Sequence, residues 1–214
     1  MDGAPPIISV WLEARGTMWF GVAEHEGKLV STVAAVSRHE ALRSILSCLP
    51  DGASHHLDEA GSVFCRKTVD MLVALERGEE EGKRFELSPL VPEPRRSVLY
   101  AAAAIPIGYV STYGDVARAA STSARVVGRI MATNSLYPIV PCHRVVGADL
   151  SLVGYGGSTS DGSLRGKLQR LVAEARGAKA EMTREAAGGL RVQPVEWVIS
   201  RAAGKPSDSQ LTLW

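Results

Sequence analysis

The stretch Leu90-Val91-Pro92-Glu93-Pro94 is the feature that most limits how this chain can fold. Two prolines so close together prevent a continuous helix from running through it. The charge changes sign at the same place, since residues 1–93 carry 9 Lys and Arg against 15 Asp and Glu, whereas residues 94–176 carry 10 against 4. We therefore predict an N-terminal domain at 1–90 and a second domain at 91–176.

The overall charge of the 214-residue chain is nearly balanced, at +1. A basic second half behind an acidic first half nevertheless indicates a polyanionic partner for the second half. The N-terminus has neither the basic nor the apolar region of a signal peptide. The most apolar stretch, 100–110, is short and is interrupted by Pro106 and Gly108. We therefore expect a cytoplasmic protein without a membrane span.

The N-terminal half has the pattern of a small α+β unit. Three short segments rich in β-branched and aromatic residues predict an antiparallel sheet of about three strands. Two later segments have apolar residues at helical spacing. The predicted strands are 7–12, 18–23 and 28–35, and the predicted helices are 38–49 and 62–78. We interpret His55-His56 as a solvated loop, and this half shows no chemistry of its own.

The three cysteines are Cys48, Cys65 and Cys142. An odd count does not indicate a secreted disulfide framework, although a Cys48–Cys65 bridge stays open as an alternative. No cysteine or histidine pair has a recognisable zinc spacing, so we expect no metal site and no cofactor.

The second half contains a pattern typical of a helix-turn-helix. After a predicted helix at 95–104, a short helix at 115–120 and a polar turn lead into a second helix at 124–133. The small residues of this region would let its backbone approach a nucleic-acid groove closely, and two arginines add positive charge. These residues are Ser123, Ala124 and Gly128, with Arg125 and Arg129. An ordinary helical hairpin with solvated arginines fits the pattern equally well.

The segment Ile139–Val146 places Cys142 beside His143, behind a proline and between β-branched residues. Such a pair is compatible with an activated thiol on a short rigid segment. Buried cysteines more often act as small apolar side chains, so the pair alone favours an inert cysteine. The surrounding sequence has to decide between the two.

Two further elements follow the cysteine. A glycine-rich loop at 154–158 requires backbone conformations that glycine adopts readily. The helix predicted at 161–174 has Leu164, Leu168, Leu171 and Val172 on its inward face and Arg165, Lys167 and Arg170 on its outward face. The remainder, 177–214, is predicted to pack on the second domain as an extension. It includes a hairpin of 178–182 and 190–195 around Gly188-Gly189.

The second half resembles the O6-alkylguanine-DNA alkyltransferases, which repair alkylated DNA. The resemblance rests on Pro141–Val145 preceded by Asn134, and it extends to Ile105–Gly114, Ala124–Gly128 and Gly154–Gly157. It implies a ribonuclease-H-like N-terminal domain and a helical C-terminal domain that carries a winged helix-turn-helix. It also implies that the protein binds double-stranded DNA through the minor groove as a monomer, rotates O6-methylguanine out of the duplex, and moves the alkyl group irreversibly to a cysteine.

The resemblance implies a role for each matched residue. Cys142 would accept the alkyl group, and His143 would remove the thiol proton through a water molecule. Glu174 would orient the imidazole, in the manner of a catalytic triad. Tyr113 would donate a hydrogen bond to the flipped guanine, and Asn134 would hold the recognition helix against the cysteine loop.

The remaining implied roles concern the DNA and the pocket. Arg125 would insert into the stack in place of the flipped base, on the helix that also presents Ser123, Ala124, Gly128 and Arg129. The pocket wall would consist of Tyr155, Gly156, Gly157 and Ser158, and the carbonyls of Cys142 and Val145 would accept the guanine amine.

The chain departs from the family pattern at several positions. Ser135 stands where a proline usually follows the asparagine, and Gly156 stands where a serine often follows the tyrosine. The turn between Tyr113 and Arg125 is short, and Arg170 replaces one leucine in the helix of Glu174. Two other functions remain as alternatives, a non-catalytic binder of alkylated DNA and a helix-turn-helix regulator. Non-catalytic relatives carry tryptophan where Cys142 stands, which argues against the first of these.

Overall fold

A computed structural model describes residues 5–80, 83–175 and 184–204. The chain forms two compact units. One comprises the described residues of 1–103 together with 133–141, and the other comprises 104–132 and the described residues after 141. Both units mix helices and strands, as the α+β prediction requires.

The sheet of the first unit is built on a three-stranded antiparallel meander. Its strands are β1 (Ile7–Arg15), β2 (Met18–His25) and β3 (Lys28–Ala35), which confirms the three predicted strands. A fourth strand, β4 (Ser54–Leu57), pairs in parallel with β1, so that the order is β3-β2-β1-β4.

The interpretation of His55-His56 as a loop is therefore wrong, and the predicted antiparallel sheet of three strands is extended by a fourth, parallel strand. All four residues of β4 are exposed. The strand therefore lacks the alternation of buried and polar side chains by which a strand is recognised in sequence.

Three helices accompany this sheet. They are α1 (Arg38–Leu46), α2 (Val63–Glu76) and α3 (Arg95–Ala103). Ser37 and Ser62 cap the first two through their side-chain oxygens, which accept hydrogen bonds from backbone N–H groups of the first turn. The core of the unit lies between α1 and the sheet and includes Ile8, Val10, Ala23, Val30, Ala41 and Ile45.

The second unit begins with β5 (Tyr109–Thr112), α4 (Tyr113–Ala119) and α5 (Ala124–Ala132). Helices α4 and α5 are the two helices of the predicted helix-turn-helix. Thr112 caps α4 by accepting a hydrogen bond from the backbone N–H of Asp115 at 3.0 Å. A one-turn 3-10 helix (Cys142–Arg144), the short strand β6 (Val145–Val146) and α6 (Asp161–Glu174) follow.

The unit ends with β7 (Arg184–Ala186), β8 (Leu190–Pro194) and α7 (Val195–Ala203). The sheet order is β6-β5-β8-β7, and the β7–β8 hairpin turns at Gly188-Gly189 as predicted. The first predicted arm of that hairpin, 178–182, lies outside the described residues. The core of this unit joins Val110, Val146 and Leu171 to Val195 and Val198 of α7, a helix that we did not predict from the sequence.

The faces of α6 differ from the prediction at two positions. Lys167 was predicted to face outward but is fully buried, and Val172 was predicted to face inward but is 40% exposed. We assigned Lys167 to the outward face because it is charged. In the folded chain its ammonium donates to backbone carbonyls, and these hydrogen bonds offset the cost of burying it.

Within the described ranges, no helix is long and apolar enough to cross a membrane. Cys48, Cys65 and Cys142 all lie in those ranges, and none of them forms a disulfide.

Candidate functional site

Cys142 opens the 3-10 helix that connects Pro141 to β6 and is 8% exposed. It lines a cavity of about 190 Å³ in the second unit. Ligand pockets for drug-sized molecules measure roughly 300–1,000 Å³, so this volume suits a smaller group such as a single nucleobase. The other lining residues are Tyr113, Gly128, Met131, Ala132, Gly154, Tyr155, Gly156, Gly157, Ser158 and Thr159.

One wall of this cavity is a tight turn over Tyr155–Ser158. The backbones of Tyr155 and Ser158 exchange two hydrogen bonds, of 2.7 and 3.0 Å. Gly156 and Gly157 between them have φ of +56° and +75°, a combination that type I′ turns require and that glycine adopts at little cost. A Cβ atom on Gly157 would also lie 3.4 Å from the carbonyl oxygen of Ala132. The glycines therefore serve both the turn and its close approach to α5.

Tyr113 faces the cavity from the first residue of α4. Its hydroxyl lies 3.5 Å from the carbonyl oxygen of Val153, which is a long distance for a hydrogen bond. Burial raises the pKa of Tyr113, and the negative charge of a Cys142 thiolate raises it further. Tyr113 is therefore a neutral hydroxyl donor at neutral pH.

His143, the residue after the cysteine, is 6% exposed. Its Nε2 lies 2.7 Å from Oε1 of Glu174, the last residue of α6. The other ring nitrogen, Nδ1, is buried and has no hydrogen-bond partner among the described residues. An imidazole that donates through Nε2 presents Nδ1 as an acceptor.

Arg144 shares the carboxylate of Glu174 with His143. Its Nε donates to Oε2 at 2.8 Å and its Nη2 donates to Oε1 at 2.9 Å, while Nη1 donates to the carbonyl of Ile105 at 2.7 Å. Arg144 belongs to the motif recognised in the sequence, but we assigned it no role there. Its position beside His143 was the available signal, but its partner Glu174 lies 30 residues away along the chain.

The protonation states in this group follow from its geometry. Burial alone would raise the pKa of Glu174, but hydrogen bonds from His143 and Arg144 outweigh burial and bring that pKa to about 2. Burial lowers the pKa of His143, and the positive charge of Arg144 lowers it further, against the raising effect of Glu174. Arg144 is thus the cation that pairs with Glu174, and His143 is a neutral donor at neutral pH.

Lys167 is a second residue that we did not assign to the site from the sequence. Its Nζ donates to the carbonyls of Val145 at 2.6 Å, Gly154 at 3.1 Å and Val153 at 3.2 Å, and it lies 5.9 Å from the ring centroid of Tyr113. Burial lowers the pKa of Lys167 to about 8, against the raising effect of a charged Cys142. The Val145 carbonyl, which we predicted to accept a guanine amine, thus accepts a hydrogen bond from this ammonium.

The predicted DNA-binding residues lie in and just before α5. Ser123, Ala124, Arg125 and Arg129 are exposed. Gly128 is half-buried and lines the cavity, and a Cβ atom there would lie 4.0 Å from the ring of Tyr113. The helix thus presents two arginines to solvent and a small residue to the cavity.

Asn134 lies in the part of the chain that belongs to the first unit. Its Nδ2 donates to the carbonyl of Val140 at 2.8 Å, and its Oδ1 accepts from the backbone N–H of Leu136 at 3.0 Å. The side chain therefore closes a loop over 134–140, immediately before the Cys142 segment.

No group of three or more His, Cys, Asp or Glu side chains within the described ranges could hold a metal ion.

Comparison of sequences gives one matching domain family. The family described as 6-O-methylguanine DNA methyltransferase, DNA binding domain, matches residues 93–176. The methylated-DNA--protein-cysteine methyltransferase of Pyrobaculum aerophilum is 57% identical over 53 residues, which is 25% of this chain and 36% of that protein. The protein of the same name from Archaeoglobus fulgidus is 46% identical over 79 residues, 36% of this chain and 53% of that protein. The chain thus matches about half or less of these relatives.

Comparison of structures covers more of the chain. The crystal structure of Mycobacterium tuberculosis OGT in complex with DNA is similar over 81% of this chain and 96% of that protein, with a TM-score of 0.55 and 26% identity. A second crystal structure, of the Mycobacterium tuberculosis O6-methylguanine methyltransferase, has the same coverage with a TM-score of 0.52 and 25% identity.

Proposed function

Because residues 93–176 match the family described as 6-O-methylguanine DNA methyltransferase, DNA binding domain, we propose that this chain repairs O6-alkylguanine in DNA by moving the alkyl group onto Cys142. One observation carries the proposal. The thiol of Cys142 lines a cavity that suits a single base, and the next residue, His143, is a neutral, buried imidazole bound to Glu174.

The first step is deprotonation of the thiol. A free thiol is only a few per cent ionised near neutral pH, so it needs a base and a stabilising field. His143 has Nδ1 available as acceptor, and we propose that a water molecule carries the proton from Cys142 to it. Glu174 and Arg144 fix the tautomer and orientation of the ring. The ammonium of Lys167, buried nearby, supplies positive charge that favours the thiolate.

The second step is alkyl transfer. The sulfur attacks the alkyl carbon, an S–C bond forms, and the C–O6 bond breaks with its electron pair moving to the guanine. A proton then neutralises the guanine, and a hydrogen bond from Tyr113 to the ring makes the guanine a better leaving group. The product is a thioether, which offers no route back to the thiol, so each molecule acts once.

The substrate base has to leave the duplex before it can enter the cavity, since O6 within the base stack is out of reach of a side chain. We propose that α5 docks in the minor groove of double-stranded DNA and that Arg125 occupies the place of the flipped base. Arg129 would contact the phosphate backbone, which fits the basic character of residues 94–176. We propose that a single copy of the chain is sufficient for binding.

The test is incubation of the protein with duplex DNA that contains one O6-methylguanine, followed by peptide mass spectrometry. The peptide with Cys142 should gain the mass of one methyl group, and the lesion should disappear in equal amount. Cys142→Ala should abolish transfer and retain DNA affinity. Cys65→Ala, which removes another buried thiol, is the matched control and should leave transfer intact. An unmodified peptide with a persistent lesion would contradict the proposal, and tight binding without transfer would favour a non-catalytic binder.

A further inference from the structure

Residues 133–137 connect α5 to the Cys142 segment, and they lie against β3 within the first unit. The backbone N–H of Thr32 donates to the carbonyl of Ser135 at 2.9 Å. Thr32 and Leu136 form a parallel β-bridge. Ser135 and Leu136 are buried. This connection is therefore a partly buried turn that is joined to β3 by one β-bridge.

Two hydroxyls of β3 strengthen the attachment. Ser31 Oγ donates to the same carbonyl of Ser135 at 2.9 Å, and Thr32 Oγ1 donates to the carbonyl of Tyr137 at 3.0 Å. Ser31 and Thr32 are 1% and 2% exposed. Buried hydroxyls need partners, and in both cases the partner is a carbonyl of this connection.

Arg95, at the start of α3, binds Thr133, the first residue of the connection. Its Nη1 donates to the carbonyl of Thr133 and its Nη2 donates to the hydroxyl of Thr133, each at 3.0 Å. Three alternate carbonyls, those of residues 133, 135 and 137, thus accept hydrogen bonds from β3 and α3. These hydrogen bonds fix the position of residues 133–137 against β3 and α3.

The two ends of the fixed segment continue directly into the proposed reaction machinery. Ala132, the last residue of the recognition helix, precedes it, and Pro141 and Cys142 follow the loop that Asn134 closes.

We propose that Ser31, Thr32 and Arg95 are positioning residues for alkyl transfer, because they fix residues 133–137, which shortly precede Cys142 in the chain. The inference rests on the proposed function. Through Ser31 and Thr32, it assigns a role in the reaction to the half of the chain that shows no chemistry of its own in the sequence. Reactions that depend on close alignment lose on the order of 10²-fold for a misplacement of about 1 Å, so looser anchoring should reduce the rate of transfer more than DNA affinity.

Thr32→Val is the most specific test, since it keeps the shape and the backbone hydrogen bond but removes the hydroxyl that donates to the Tyr137 carbonyl. With DNA in saturating excess, the first-order rate of methyl transfer to Cys142 should fall about tenfold, while Kd for the duplex changes less than about twofold. Thr32→Ser keeps the hydroxyl and should restore most of the rate. If Thr32→Val does not fold, Arg95→Gln serves as the second variant, and it should likewise slow transfer with little change in Kd for the duplex.

The matched control is Thr68→Val. Thr68 is buried in the same unit, and its Oγ1 donates to a backbone carbonyl, that of Phe64, at 2.9 Å, but it does not contact the segment. It should leave the rate unchanged at a temperature where the variants are folded. Equal rates for the Thr32→Val, Arg95→Gln and wild-type proteins would overturn the inference, as would equal losses in the Thr32→Val and Thr68→Val proteins. Absence of transfer by the wild-type protein would instead overturn the proposed function.

Discussion

Nε2 of His143 lies 2.7 Å from Oε1 of Glu174, and Arg144 donates two hydrogen bonds to the same carboxylate. Glu174 therefore has two partners, His143 and Arg144. The buried guanidinium of Arg144 supplies the positive charge that a protonated imidazole would otherwise supply. His143 can then stay neutral beside an ionised carboxylate. The arrangement prepares the ring to accept a proton through Nδ1.

The pH dependence of transfer should reveal this arrangement. In the proposed mechanism, transfer requires neutral His143, whose pKa is lowered by burial and by the positive charge of Arg144. The acid limb of the rate profile should therefore have its midpoint below the ordinary histidine pKa of about 6.5. Arg144→Gln removes one cause of the lowering, so its midpoint should move to higher pH. Single-turnover rates measured from about pH 5 to 8 test both expectations.

Arg201→Gln provides the matched control for that measurement. Arg201 also pairs with a carboxylate in the second unit, that of Asp149 at 2.6 Å, but on an exposed surface. It should leave the midpoint of the profile unchanged. A midpoint that is the same in the wild-type and Arg144→Gln proteins would contradict the role given to Arg144.

Lys167 should make the folded state more stable as the pH rises through the alkaline range. The pKa of Lys167 is lowered by burial to about 8 in the folded chain, whereas that of an unfolded lysine is about 10.4. Between these values the unfolded state binds more protons, so the free energy of unfolding increases with pH, by roughly 3 kcal/mol in total from this group.

Lys167→Met should lose this increase, as measured by denaturant unfolding at intervals between about pH 7.5 and 10.5. The substitution also removes the donor to the Val145, Val153 and Gly154 carbonyls, so the variant should be less stable throughout. Lys28→Met, at a partly exposed ion pair with Glu86, should keep the wild-type slope. An unchanged slope in the Lys167→Met protein would show that the ammonium does not titrate as its burial predicts.

Gly157→Ala, compared with Gly188→Ala, should distinguish the effect of a left-handed residue on stability from the effect of the turn on alkyl transfer. Gly157 and Gly188 both have φ of +75°, but only a Cβ at Gly157 would meet another residue, the carbonyl of Ala132. Either alanine should cost about 1 kcal/mol of stability, because left-handed backbone is unfavourable for residues with a Cβ. Only Gly157→Ala should also slow transfer, since Gly157 lines the cavity. Thermal unfolding and single-turnover rates together measure the two effects, and equal rates for both variants would exclude Gly157 from the pocket.

Arg125→Ala should impair reaction with duplex DNA more than reaction with a free base. Arg125 is exposed at the start of α5, where a side chain could replace a flipped base. Methyl transfer from duplex DNA should slow by at least about tenfold, whereas benzyl transfer from free O6-benzylguanine should be nearly unchanged, since removal from a stack is needed only in the first case. Arg66→Ala, an exposed arginine on α2, should affect neither rate. If Arg125→Ala lowered both transfer rates by the same factor, Arg125 would have no role in base flipping.

Much of the fold could be predicted because its elements carry local signals. Strands β1, β2 and β3 have β-branched and aromatic residues between turns, and α6 begins and ends at the predicted residues. Strand β4 could not be predicted in this way, since its four exposed residues have no periodicity and its partner β1 is far away along the chain. The burial of Lys167 could not be predicted for a related reason, because it depends on carbonyls that only the folded chain brings together.

The site could be predicted to a similar extent. Cys142 and His143 are adjacent in sequence, and the glycine loop has a recognisable composition. Arg144 was visible in the same motif, but its two bonds to Glu174 close a loop of 30 residues, which no local pattern encodes. Ser31 and Thr32 looked like ordinary strand residues, because their carbonyl partners lie 104 and 105 residues away.

The first unit is discontinuous, since residues 133–141 return to it after the chain has built part of the second. No single cut can therefore separate the two units intact. A fragment that began at residue 91 would keep Ser135 and Tyr137 but lose β3, leaving their carbonyls without the donors Ser31 and Thr32. The half of the chain that contains Cys142 therefore depends on β3 of the other half for the donors to these two carbonyls.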